Sequence, residues 1–185
     1  MIKNYIETVT IIDNTESEVE GLIKIFKKNN ILYEYFHPIK FEGVKFKLKN
    51  RKLIFLDLYL NSSIAQNAAS QISSIRNYFK KIIGKKFGLY GIVLWTKHPE
   101  DLKEFKEKIF SDGDEYTLPV FIVGLNKNHY LLNGFSNLFK DIKNELEQNV
   151  PANFFIQWDN AVKEGKIQVI EDLYSLVNKY ETRDK

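Results

Sequence analysis

Four side chains of this chain stand where apolar runs end and could together handle a phosphoryl group: Asp13, Asp57, Thr96 and Lys127. Two carboxylates can hold Mg²⁺, a hard ion that prefers such oxygens and keeps several waters. A hydroxyl and an ammonium can then bind the remaining phosphoryl oxygens. Asp57 carries the most weight, because it follows Leu53–Leu56, an unbroken apolar run that reads as a strand buried on both faces. A charge deep in a sheet costs several kcal/mol, roughly, so Asp57 belongs at the open carboxyl end of that strand. Ligands of parallel α/β sheets bind at such ends. Taken singly, each residue has a blander reading, since Asp57 could cap a turn and Asn14 could cap a helix.

The elements that must position these groups alternate along the chain. Tyr5–Ile12 reads as a strand ending at Asp13 and Asn14. Thr15-Glu16-Ser17-Glu18 fits a capping box opening a helix striped by Val19, Leu22, Ile23 and Phe26. Ile31–Phe36 forms a second strand, stopped by His37-Pro38. After the central strand, a helix is expected from about Ser62 to Ile83, with Gly84 closing it. Leu89–Trp95 is the next strand, ending at Thr96, and Pro99 with Glu100 and Asp101 suits a helix start. Leu118–Val123 is the last strand, leaving through Gly124-Leu125-Asn126-Lys127 to a helix marked by Phe135, Leu138, Ile142 and Leu146.

This alternation predicts an α/β fold: a doubly wound, mostly parallel, five-stranded sheet with right-handed crossovers. Residues 38–50 fit no helix, although Val44, Phe46 and Leu48 alternating with Lys45, Lys47 and Lys49 suit an added edge segment. Pro151 opens a helical extension reaching about Tyr180, striped by Phe155, Trp158, Val162, Ile170, Leu173 and Val177, with Gly165 breaking or bending it. The expected division is residues 1–148 for the main domain and 149–185 for the extension.

Composition narrows the classes. The 185 residues are 44% hydrophobic and 28% charged, as in ordinary soluble proteins. No cysteine is present, which excludes thiolate catalysis, disulfides and Cys-based zinc sites. No stretch reads as a signal peptide or a membrane span, so a cytoplasmic location is expected. The net charge of +3 is local: without residues 40–52 the remainder has 21 basic against 23 acidic residues, −2. Those lysines suit a solvated sheet edge better than nucleic acid, since no groove-reading helix or stacking motif accompanies them. His37, His98 and His129 lack ligand spacing, and Gly88-Leu89-Tyr90-Gly91 is no dinucleotide fingerprint.

The series IIDN, LIFLDLYL, IVLWT and PVFIVGLNK resembles the receiver domain of bacterial response regulators. IVLWTKHPED and FFIQWDNAV are similar to its divergent branch beside effector domains, including those of bacterial defence operons. The resemblance covers about residues 5–148. It implies a flavodoxin-like receiver fold, with Asp57 as phosphoacceptor and Asp13, Asn14, Asp57 and the Tyr59 backbone carbonyl around Mg²⁺. Thr96 would be the switch hydroxyl and Lys127 the phosphate-contacting lysine, with Lys97 as the alternative. A histidine kinase or phosphotransfer protein would be the donor, and an effector protein or a second copy of the chain would receive the output. The other function open is a pseudo-receiver that binds partners without phosphate. Asn14 stands where the family usually has a second acid, and Asn128 follows Lys127 where the family usually has proline.

Overall fold

The computed structural model describes residues 8–38, 53–60, 67–83, 89–111 and 117–181. The lysine-rich segment 40–52, Ser62, Ile64, Gly84 and Gly88 lie outside the described residues, as does the side chain of Val177. Five strands are described: β1 (Thr8–Ile12), β2 (Leu32–Phe36), β3 (Leu53–Leu56), β4 (Gly91–Thr96) and β5 (Phe121–Asn126). All pair in parallel, in the order β2-β1-β3-β4-β5. That is the strand order of flavodoxin-like proteins, and β3 is central as its apolar run requires.

Helices cover both faces. α1 (Glu16–Lys28) follows β1, α2 (Ala68–Ile82) precedes β4, and a 3₁₀ turn (Pro99–Asp101) feeds α3 (Leu102–Phe110). After β5 come α4 (Lys127–Asn133), α5 (Leu138–Gln148) and α6 (Val150–Glu181). Strand side chains alternate between two cores. Val9, Ile11, Phe55 and Trp95 pack with Leu22 and Phe26 of α1 and with Leu138 and Ile142 of α5. Ile12, Ile54, Leu56 and Leu94 pack on the other side with Ile75 and Phe79 of α2 and Phe105 of α3. A strand filled on both faces cannot alternate with polar residues, which explains the unbroken LIFL run.

Several boundaries differ from the sequence reading, each for a local reason. Thr15 stands at the head of α1 but makes no side-chain cap, so the capping box does not form. α2 starts at Ala68, where the Asn67 side chain accepts from the Ser70 N–H at 2.8 Å. Gly124 does not end the last strand. A Cβ there would press on the Leu102 side chain, so glycine keeps β5 running to Asn126 while α3 packs close. Lys127 therefore follows the strand directly. The helix expected from its Leu138, Ile142 and Leu146 stripe is α5, and a further short helix, α4, precedes it and ends at Gly134, whose φ of +80° favours glycine. Gly165 does not break the extension, because α6 is continuous through it.

Phe55 fixes the middle of the first core, stacking edge-on against Phe26 at 5.3 Å and Trp95 at 6.4 Å between ring centroids. Phe55→Ala is expected to lower stability by about 3–5 kcal/mol in urea melts. A loss under about 1 kcal/mol would show that the β3 side chains do not centre this core.

Candidate functional site

The carboxyl edge of the sheet gathers the acids. Asp13 follows β1 directly, and its N–H donates to the Phe36 carbonyl at 3.2 Å. Asp57 follows β3, and its N–H donates to the Ile12 carbonyl at 2.9 Å, continuing the β1–β3 ladder. The ladder thus sets the two carboxylates side by side. Lys127 begins α4 beyond β5, and β4 lies between β5 and β3. Its long stem spans the end of β4 to bring the ammonium to both acids.

The ammonium is fully buried and makes three ion pairs: 2.7 Å to Asp13 Oδ2, 2.9 Å to Asp57 Oδ2 and 2.7 Å to Glu18 Oε2. A lysine has three donors, so each finds an acceptor. Glu18, on the first turn of α1, was legible in the sequence only as half of a capping box. With that box unformed, its other oxygen accepts from Lys97 Nζ at 2.6 Å. Of the two candidate lysines, Lys127 is therefore the one in contact with Asp57, and Lys97 reaches the cluster through Glu18.

The remaining oxygens are held by backbone. Asp13 Oδ1 accepts from the Thr15 N–H at 2.8 Å, and Asp57 Oδ1 accepts from the Tyr59 N–H at 3.3 Å. Asn14 turns its amide the other way. Its Nδ2 donates to the backbone carbonyls of Tyr59 at 3.0 Å and Leu60 at 3.2 Å. A carboxylate cannot donate, so an acid at position 14 would leave the Tyr59 carbonyl to a cation, whereas the amide binds that carbonyl itself. Thr96 ends β4 fully buried, in register with Asn126, and its Oγ1 accepts from the His98 N–H at 3.1 Å. The Tyr59 ring stacks at 4.5 Å from His98, and its hydroxyl donates to Asp101 Oδ2 at 2.8 Å.

Three carboxylates, Asp13, Glu18 and Asp57, each offer an oxygen within 4.8 Å of the others and could hold a metal ion. No histidine takes part in this cluster. Oxygen donors of this kind suit a hard divalent cation, and Glu18 adds the third of them from the helix. A cation there would compete with the Lys127 ammonium for the same oxygens.

The charge states follow from one cation shared among three acids. Burial pushes the Asp13 carboxyl up to about 6; Lys127 opposes this and Asp57 reinforces it. Burial works against the Lys127 ammonium, but Asp57 and Asp13 outweigh it and raise its pKa. Burial would also raise Glu18, yet the hydrogen bonds from Lys127 and Lys97 hold it below the usual carboxylate range. The ammonium stays charged, and the Asp13 carboxyl is more easily neutralised than an ordinary aspartate.

No protein-family model matches the chain, and no curated protein matches it. One solved structure, a yeast Spc42 trimeric coiled-coil segment fused to another structure, aligns with 94% of this chain and 95% of its own. The identity is 14% and the TM-score 0.45, too loose a likeness to define fold or function. What is defined is a class: a parallel, doubly wound α/β protein with a buried lysine–carboxylate cluster at its carboxyl edge.

The Asp13 shift has a sign that acid titration can read. Between its unfolded value near 3.8 and its folded value of about 6, the folded chain holds a proton that the unfolded chain has released. Stability should therefore fall as pH rises from about 4 to 6, by an amount on the order of 2 kcal/mol, and level off above. Glu18 opposes this only below its ordinary value near 4.5, where its stabilising charge is lost. Chemical melts across this range should show the slope in the wild type and lose it in Asp13→Asn. Wild-type stability that is flat or rising from pH 4 to 6 would contradict the assignment.

Proposed function

We propose that this protein is a receiver-like phosphoacceptor, taking a phosphoryl group onto Asp57 from the phosphohistidine of a partner kinase or phosphotransfer protein. The observation that carries the reading is the Lys127 ammonium bridging Asp13 and Asp57 at the open edge of the sheet. One Asp57 oxygen attacks phosphorus in line with the P–N bond. The P–O bond forms as the P–N bond breaks, and the departing imidazole keeps the electron pair and takes up a proton. Lys127 follows the phosphoryl oxygens, leaving Glu18 to Lys97. Mg²⁺ held by Asp13, Asp57 and Glu18 would offset the charge on those oxygens. The new charge at the sheet's carboxyl edge, with Thr96 as the switch hydroxyl, then biases the neighbouring surface toward a second state that an effector protein reads.

A second reading rests on a specific observation too. The Lys127 ammonium already satisfies all three acids, and Asn14 already occupies the Tyr59 carbonyl. A site so complete by itself suits a pseudo-receiver that binds its partner constitutively.

Beryllofluoride, which mimics a phosphoryl group on a carboxylate, separates the two. The first reading expects binding that requires Mg²⁺, disappears in Asp57→Ala and weakens about tenfold or more in Glu18→Gln. Binding unchanged in Asp57→Ala would remove Asp57 as acceptor. A wild-type protein that takes neither Mg²⁺ nor beryllofluoride would leave the pseudo-receiver.

A further inference from the structure

Among the described residues, Glu18 is the acid of this cluster that holds two lysines. Its Oε2 pairs with the Lys127 ammonium at 2.7 Å, while its Oε1 accepts from Lys97 Nζ at 2.6 Å. The two ammoniums sit at different depths. The Lys127 side chain is fully buried, whereas that of Lys97, the residue after Thr96 at the end of β4, is 44% exposed. All three Lys127 donors are taken, so an arriving phosphoryl oxygen gains one only if an acid gives one up.

The surroundings of the three acids decide which one yields. Asp57 is the acceptor and comes to carry the phosphoryl group itself. Asp13 is fully buried, and beside Lys127 it has the Thr15 N–H and no second ammonium among the described residues. Parting it from Lys127 would strand a buried charge. Glu18 can release the bond at its Oε2 at less cost, because Lys97 keeps Oε1 and leaves the carboxylate paired. The same anchor keeps Oε2 aimed at the cluster, where a divalent cation could still use it.

On the reading that Asp57 accepts a phosphoryl group, we propose that Lys97 is a positioning residue for that transfer: it anchors Glu18 while Lys127 exchanges the Glu18 oxygen for a phosphoryl oxygen. Lys97 touches neither phosphorus nor the leaving group. The P–O bond still forms at Asp57 as the P–N bond breaks. The departing nitrogen keeps the electron pair and takes up a proton, and both lysines keep theirs. Without Lys97, Glu18 is left to the Lys127 ammonium and holds it back.

The test follows phosphoryl uptake by the full chain from phosphoramidate at saturating Mg²⁺ and, as a readout of binding alone, titrates beryllofluoride. Lys97→Gln should lower the maximal uptake rate about tenfold and weaken beryllofluoride to a similar extent, with the KM for phosphoramidate unchanged. Lys97→Arg keeps the cation and should restore both. In a Glu18→Ala background, adding Lys97→Gln should change either quantity by less than about twofold, because the acid it acts through is gone. Both side chains are partly exposed, so each variant should keep the circular dichroism of the wild type. A Lys97→Gln protein equal to the wild type would overturn the proposal. So would an effect that survives in Glu18→Ala or is confined to KM, either of which assigns Lys97 to attracting the anionic donor. A wild type that takes up neither phosphate nor beryllofluoride fails a step earlier, removing Asp57 as acceptor and this role of Lys97 with it.

Discussion

A buried ammonium ringed by three carboxylates is the constraint on which the carboxyl edge of this sheet depends. An unpaired charge at the same depth would cost several kcal/mol, roughly, so Lys127, Asp13, Asp57 and Glu18 must be delivered together or not at all. Parallel pairing makes that delivery possible. β1 and β3 are neighbours in register, so the residues that follow them arrive side by side. β5 lies one strand further, and among cationic residues only a long side chain reaches across.

The cluster is one that trades charges rather than one that stores them. Lys127 holds Asp57 and Asp13 while Glu18 shares itself between Lys127 and Lys97. The Asn14 amide stitches the loop after β1 to the loop after β3 and occupies the Tyr59 carbonyl in doing so. Glu18 adds a third carboxylate from the helix, beside the two at the strand ends. An incoming phosphoryl group would meet a site whose cation is in place and whose third acid has another lysine to turn to.

Much of this was legible in the sequence because strand ends in parallel sheets are marked by abrupt changes from apolar to charged residues. Asp13, Asp57 and the central position of LIFL follow from that rule, as does the doubly wound arrangement. Glu18 was not legible as a site residue because Thr15-x-x-Glu18 has a complete local explanation, and only the tertiary placement of Lys127 overrides it. The one signal was its place on the first turn of α1, next to the edge where Asp13 ends β1. Glycines misled in both directions. Gly124 marks close packing of Leu102 inside a strand, whereas Gly165 sits in open space inside a helix long enough to absorb its cost. The stripe of α6 was visible, but periodicity alone cannot say whether a stripe faces its own body.

Phosphoryl transfer onto Asp57 is tested most directly by the chemical fate of that residue. The protein would be incubated with Mg²⁺ and a small phosphoryl donor such as phosphoramidate, reduced with borohydride, and its peptides analysed by mass spectrometry. An aspartyl phosphate is converted to homoserine, so donor-dependent homoserine is expected at position 57. Unmodified Asp57, or homoserine at Asp13 or another aspartate, would contradict it.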